Sequence, residues 1–262
     1  MPALLDVIDL HKSFGGVQAV TGMAFTVEAG SVTGLIGPNG AGKSTVIETV
    51  TGFLKPDRGT VRFANRDIQG LTPHHISALG LTRTFQLPRE WPSLTVLENM
   101  LVAAIDGKRD KLWRAVFTPG PLARAQKDDL ARAREVLDSF GLLGLRNDLA
   151  KTLSGGQKRL LEFARLVIAR PRMVLLDEPM AGVNPTMRAR IQESIERLVH
   201  HGMTVLLVEH NLDIVEALCD TVVVMALGQC IATGSMQELR LNPVVVDAYL
   251  GSDAVITAAV DG

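Results

Sequence analysis

Aromatic side chains are scarce in this chain of 262 residues: Phe, Trp and Tyr together make up 4%. A surface that stacks successive unpaired bases needs more rings than that, which excludes a platform for single-stranded nucleic acid. Cysteine is scarcer still, with Cys219 and Cys230 alone. Two thiols make no disulfide framework, and the count fits a reducing compartment. Neither sign of charge prevails. Lys and Arg number 27 against 28 Asp and Glu, a formal net charge of −1, so no polybasic body is available to coat nucleic acid. Long hydrophobic runs are missing as well. Met100–Ile105, Met173–Leu176, Val205–Val208 and Val222–Leu227 fall far short of the roughly 20 apolar residues that cross a bilayer. Residues 1–10 carry Asp6 and Asp9 and no basic stretch, so no export signal is expected there. Any membrane role is expected to come through a partner.

What is present is a large apolar fraction, 47%, with 21% charged residues. That balance argues for a folded body rather than disorder. The length suits one large domain, or a core with a smaller subdomain. Strands are expected over Leu4–Leu10, Met23–Val27, Val32–Ile36 and Thr60–Phe63, with a helix over about Lys43–Thr51. Thr95–Ala104 and Leu122–Phe140 read as helices. In the second, Leu130, Ala133, Leu137 and Phe140 fall on one face. Between them, residues 106–121 hold Gly107, Pro119, Gly120 and Pro121 and read as a surface connection. From Ser154 helices and strands alternate: helices over Ser154–Ala169, Thr186–His200 and Leu212–Leu218, strands over Met173–Leu176, Met203–Val208 and Thr221–Ala226. Apolar strands at that spacing imply a parallel sheet covered on both faces.

Gly37, Pro38, Asn39, Gly40, Ala41, Gly42, Lys43 and Ser44 match the pattern G-x-x-x-x-G-K-[ST], with Thr45 following. An apolar strand precedes it and a helix follows. Glycines let the backbone N–H groups wrap a phosphate, and the helix dipole adds to the attraction. Lys43 supplies a point charge to the β- and γ-phosphates, and the Ser44 hydroxyl can ligate Mg²⁺. The strand Met173–Leu176 runs into Asp177 and Glu178. Beside a phosphate loop, Asp177 is placed to hold the metal through water, and Glu178 to polarise the attacking water. A second glycine motif, Leu153-Ser-Gly-Gly-Gln157, opens the next helix. Ser154 is expected to cap it while Gly155 and Gly156 allow close backbone approach. Alone this is as readily an ordinary capped helix. Two phosphate nests in one chain are more than one nucleotide needs, however. The simplest resolution is two chains, each serving the other's nucleotide.

At this point the chain resembles the nucleotide-binding subunits of ABC transporters, from about Leu4 to Leu250. The motifs stand in that family's order. Gly37–Thr45 matches the Walker A loop, Gln86 the Q-loop, Leu153–Gln157 the signature, Asp177 with Glu178 the Walker B end and catalytic carboxylate, and His210 the switch histidine. Phe14 matches the adenine-stacking aromatic. One departure is Asn184, where the family often has aspartate. The resemblance implies a P-loop α/β core with a mixed or parallel sheet, an antiparallel β layer and a helical subdomain. The expected boundaries are a core over 1–86 and 153–241, helices over 87–152 and a tail over 242–262. It implies ATP stacked on Phe14 and Mg²⁺ near Ser44, Asp177 and Gln86. The γ-phosphate is expected to meet Ser154, Gly155, Gly156 and Gln157 of a second ABC subunit, identical or paralogous, while Glu178, His210 and Gln86 act on it.

Leu81-Thr-Arg-Thr-Phe-Gln86, Leu94-Thr-Val-Leu-Glu-Asn99 and the tail from Asn242 to Gly251 resemble the branched-chain amino acid importers of bacteria. That likeness implies polytopic permease subunits, indirectly a periplasmic binding protein, a place on the cytoplasmic face of the inner membrane, and no nucleic acid. Trp91, Leu94 and Leu97 are candidates for the permease socket, with plain core packing the equal alternative for each. Two other readings are a lipid or lipopolysaccharide exporter ATPase, which shares Ala181-Gly-Val183, and a soluble ABC ATPase of DNA repair or ribosomes. The absence of a heptad array or a second cassette weighs against the last.

Overall fold

The computed structural model of the chain describes residues 2–84, 90–106 and 119–249, with the backbone alone for 105–106 and 119–127. The chain divides into two compact units. One is made of Met1–Arg83, Arg172–Ala181 and Gly202–Gly262, the other of Thr84–Pro171 and Gly182–His201.

The first unit holds both sheets. Strands β1 (Ala3–Phe14), β2 (Val17–Glu28), β4 (Arg58–Phe63) and β5 (Arg66–Asp67) form an antiparallel sheet in the order β2-β1-β4-β5. The second sheet runs β10-β9-β3-β8-β7-β6. Its members are β3 (Val32–Ile36), β6 (Leu81–Arg83), β7 (Met173–Asp177), β8 (Thr204–Val208), β9 (Thr221–Ala226) and β10 (Gln229–Gly234). All pair in parallel except β10, which returns antiparallel along β9. The sheet is therefore mixed. The short edge strands β6 and β10 give no clear apolar signal, and sequence pattern alone does not announce them.

Two-residue periodicity sends neighbouring side chains to opposite faces. Leu35, Val223 and Met225 join a core with Leu5, Val7, Phe25, Val46, Ile47 and Phe63. Ile36, Val222 and Val224 join a second core with Val215, Met236, Leu239 and Val245. The first core is closed by the antiparallel sheet and helix α1 (Lys43–Val50), the second by helices from the C-terminal part. Residues 243–249 are helical.

The second unit is helical. It comprises α3 (Val96–Asp106), α4 (Pro119–Ser139), α5 (Gly155–Ala169) and α6 (Pro185–His200); the short α2 (Pro73–Ala78) belongs to the first unit. Pro119, Gly120 and Pro121 open α4 instead of lying in a connection, because proline is tolerated in a helix's first turn, where its missing N–H has no partner to lose. Ala133, Val136, Leu137 and Phe140 are buried along this helix and its end. The Arg132 guanidinium donates to the carbonyl oxygens of Val167 and Ile168 at the end of α5 (3.1 and 3.4 Å).

Candidate functional site

Parallel register brings three strand ends to one edge of the mixed sheet. Leu35 pairs with Val208 and Asp177 with Val208, so β3, β8 and β7 finish side by side. The segments that follow are the glycine loop 37–42, the turn 177–181 and Glu209-His210.

The loop's path depends on two glycines. Gly37 and Gly42 have φ of +154° and +102°. A Cβ on either would run into a backbone carbonyl oxygen, of Met225 and of Ala19 respectively. Gly42 is the N-cap of α1 and provides no side-chain cap, so the first-turn N–H groups are the kind of unshared donors that bind anions. The amide of Gly228 donates to the Ala41 carbonyl (3.0 Å) and that of Thr21 to the Gly228 carbonyl (2.8 Å), which laces the start of β2 to the loop. Phe14, paired with Val17 at the same hairpin end, leaves 47% of its surface exposed. The Lys12 ammonium lies 5.7 Å from its ring centroid and is held by Asp57 (2.8 Å).

Lys43 is buried, and its ammonium donates to the carbonyls of Gly37 (2.7 Å) and Pro38 (2.9 Å). One of its three N–H donors remains beyond those two bonds. Burial pushes its pKa below the ordinary lysine value, while the nearby Glu178 and Asp177 carboxylates oppose that shift. Ser44 is exposed and Thr45 half-buried. Glu178 sits at φ +48°, a conformation that costs a non-glycine residue about 1–2 kcal/mol. Its amide donates to the Val208 carbonyl (2.9 Å), and its Oε2 lies 3.0 Å from Nε2 of His210.

Two residues that motif reading passes over belong to this edge. Arg83 forms a 2.7 Å ion pair with Oδ2 of Asp177, both side chains largely covered. Glu209 is buried and accepts from the Met180 amide (3.1 Å). A charged residue closing the apolar strand Thr204–Val208 is a signal for Glu209; Arg83 has only its place three residues before Gln86. Among the described residues no group of three or more His, Cys, Asp or Glu can hold a metal unaided. Asp177 and the Ser44 hydroxyl are hard oxygen donors, and one or two protein oxygens completed by phosphate and water is how Mg²⁺ is usually held. The donor set fits that ion. Gln86 lies outside the described residues.

In the second unit Ser154 is the N-cap of α5, and its capping box is complete. The Gln157 amide donates to Ser154 Oγ (3.3 Å) and the Ser154 amide to Gln157 Oε1 (2.8 Å). Gln157 thus spends its side chain on the helix start. A Cβ on Gly155 would meet nothing, whereas one on Gly156 would meet Met187. Asn184 caps α6 through the Met187 amide (2.9 Å), a task its amide oxygen performs as an aspartate would. Trp91 is half-buried beneath the fully buried Arg165, whose guanidinium is 4.5 Å from the ring centroid. Leu94 and Leu97 are half-buried too.

Comparison with known proteins agrees with this arrangement. The profile of a family described as ABC transporter matches residues 20–181. The chain is similar to the probable branched-chain amino acid transport ATP-binding protein LivG of Archaeoglobus fulgidus, 40% identical across 95% of this chain and 96% of that protein. It is also similar to the high-affinity branched-chain amino acid transport ATP-binding protein LivG of Escherichia coli, 39% identical across 95% and 98%. Among solved structures, the ADP conformation of an ATP-binding cassette of an ABC transporter superposes with a TM-score of 0.78 at 36% identity, covering 96% of this chain and 100% of that one. A nucleotide-free cassette of an ABC transporter gives 0.77 at 36% identity, covering 95% and 99%.

Proposed function

The chain belongs to the ABC transporter family of ATP-binding subunits, and from that premise we propose that it hydrolyses ATP to drive import of branched-chain or related amino acids. The observation that carries the reading is the convergence on one sheet edge of a buried Lys43 in its glycine loop, Asp177, and Glu178 at 3.0 Å from His210. The substrate class is supported by relatives named for branched-chain amino acid transport that align over 95% of the chain. Among the described residues no helix is long and apolar enough to cross a membrane. On the names of its relatives we place the subunit at the cytoplasmic face of the inner membrane, bound to polytopic permease subunits and served by a periplasmic binding protein.

The exposed Phe14 ring offers a face to adenine, a contact tolerant of base identity. The N–H groups of residues 37–45 and the Lys43 ammonium take the phosphates. Asp177, Ser44 and Gln86 would hold Mg²⁺, which would offset phosphate charge when bound. Glu178 accepts a proton from the water that attacks the terminal phosphorus, as the bond to the ADP oxygen breaks and its electron pair leaves with ADP. His210 holds Glu178 and the γ-phosphate end in register. Ser154, Gly155 and Gly156 act on the nucleotide of a second cassette. Their contact to the terminal phosphate is lost on hydrolysis, and a ligand that favours the closed pair before cleavage but not after can drive a cycle.

Glu178→Gln tests this directly. Hydrolysis should fall by at least about 100-fold, the usual contribution of a positioned base. An ATP-dependent dimer should accumulate in size-exclusion chromatography. Undiminished turnover would refute the role of Glu178, and reconstituted vesicles that take up no branched-chain amino acid would refute the substrate class.

A further inference from the structure

We propose that Glu209 is a positioning residue that sets the distance between Glu178 and His210; the proposal rests on the catalytic reading of Glu178. Glu209 follows the apolar strand Thr204–Val208 and is 4% exposed. Burying a carboxylate is costly unless its oxygens are hydrogen-bonded, and here a backbone amide supplies one such bond. Oε1 accepts from the Met180 amide (3.1 Å), and His210 follows Glu209 directly in the chain. One residue thereby joins both segments of the site: its side chain holds the turn carrying Glu178, and its backbone runs straight into His210.

The grip bears on the strained residue. Glu178 holds a left-handed backbone, which persists only where the surroundings over-determine it. Its own amide is tied to Val208, its carbonyl accepts from the Ala181 amide (3.1 Å), and Met180 between them is tied to Glu209. Val208 and Glu209 are consecutive, so the whole turn is registered against the end of β8. Without the Glu209 acceptor, the buried Met180 N–H loses its partner. The turn is then free to relax toward ordinary backbone, carrying the Glu178 carboxylate away from His210. The groups facing Glu209 are His210, whose attraction favours its charged form, and Glu178, whose repulsion opposes it. Burial is the largest influence and raises its pKa. Acceptance from backbone N–H needs an oxygen rather than a charge, so glutamine should substitute and alanine should not.

The experiment uses the full chain in its membrane complex, with Glu209→Ala, Glu209→Gln, Glu178→Gln and the double variant Glu178→Gln with Glu209→Ala. Glu209→Ala should lower kcat roughly 10- to 100-fold, the scale of a catalytic group misplaced by about 1 Å, with KM for ATP within about twofold because the phosphate loop is untouched. Glu209→Gln should stay within about threefold of the parent. The double variant should be no slower than Glu178→Gln, since the residue acts through Glu178. Amide hydrogen exchange at Met180 should quicken in Glu209→Ala and not in Glu209→Gln. Should the alanine variant not fold, Glu209→Asp, one methylene shorter with its charge kept, carries the same expectation. A glutamine variant as slow as the alanine one, a loss confined to KM, or full additivity with Glu178→Gln would overturn the positioning role. Normal turnover in Glu178→Gln alone would instead overturn the reading of Glu178 itself, which separates the two failures.

Discussion

The two glycine-rich helix starts of this chain are built from the same ingredients to opposite ends. At α1 the N-cap is Gly42, in a left-handed conformation with no side chain to offer. At α5 the N-cap is Ser154, locked in a reciprocal box with Gln157. The first glycine is pressed against the Ala19 carbonyl; Gly155 has open space around its Cβ position. A helix start whose own side chains satisfy its donors is stable by itself and holds a ligand lightly. One without a cap keeps its donors for an anion and relies on the surrounding fold for support. On the proposed function, the contrast separates a helix start that keeps its donors for a phosphate from one that is complete without a ligand.

Several changes would sharpen or break this contrast, and the largest effect is expected at Lys43. Lys43→Ala should weaken binding of a fluorescent ATP analogue about 100-fold, the equivalent of about 3 kcal/mol for lost charge-assisted hydrogen bonds. Ser154→Ala should leave that binding within about twofold in the single chain while slowing hydrolysis about tenfold in the complex; equal losses in binding would erase the distinction. Next come the glycines themselves. Gly42→Ala meets both a positive φ and a backbone oxygen, so chemical unfolding should show a loss of about 2–4 kcal/mol. Gly155→Ala should be neutral or stabilising by up to about 1 kcal/mol, because alanine suits a helix and nothing obstructs it.

The smallest expected effect concerns His201, at the end of α6. Burial first, then Arg170, His200, Arg132 and Arg197, hold its pKa below the ordinary histidine value. The unfolded chain therefore takes up the proton more readily than the folded one, and stability falls as pH drops through about 6.5 and below. His201→Gln should flatten a small part of that decline between pH 7 and 5, read from unfolding midpoints. A steeper acid decline in the variant would contradict the sign.

The phosphate loop was legible because its ligating groups are contiguous and their spacing is dictated by the turn they make. Asp177, Glu178 and His210 were legible because each closes an apolar strand whose pattern is plain. Arg83 was not, since its partner Asp177 lies 94 residues away and the two meet only when β6 adds to β7. Nor was the edge strand β6 itself, three residues long and without a pattern of its own. The Cys219 and Cys230 side chains are half-buried. Burial still pushes the Cys219 thiol up to about 12.

Local sequence was enough to determine the strongly apolar central strands, the Ser154 cap and the glycine loop with its lysine, because hydrophobic period, capping residues and turn glycines act within a few residues. Which of those groups face one another was decided by tertiary structure. Parallel register aligns the ends of β3, β7 and β8, and a pairing between residues far apart in the chain exists only after the sheet has closed. The hold of Glu209 on the turn behind Glu178 is such a pairing, spanning 29 residues through a single buried carboxylate.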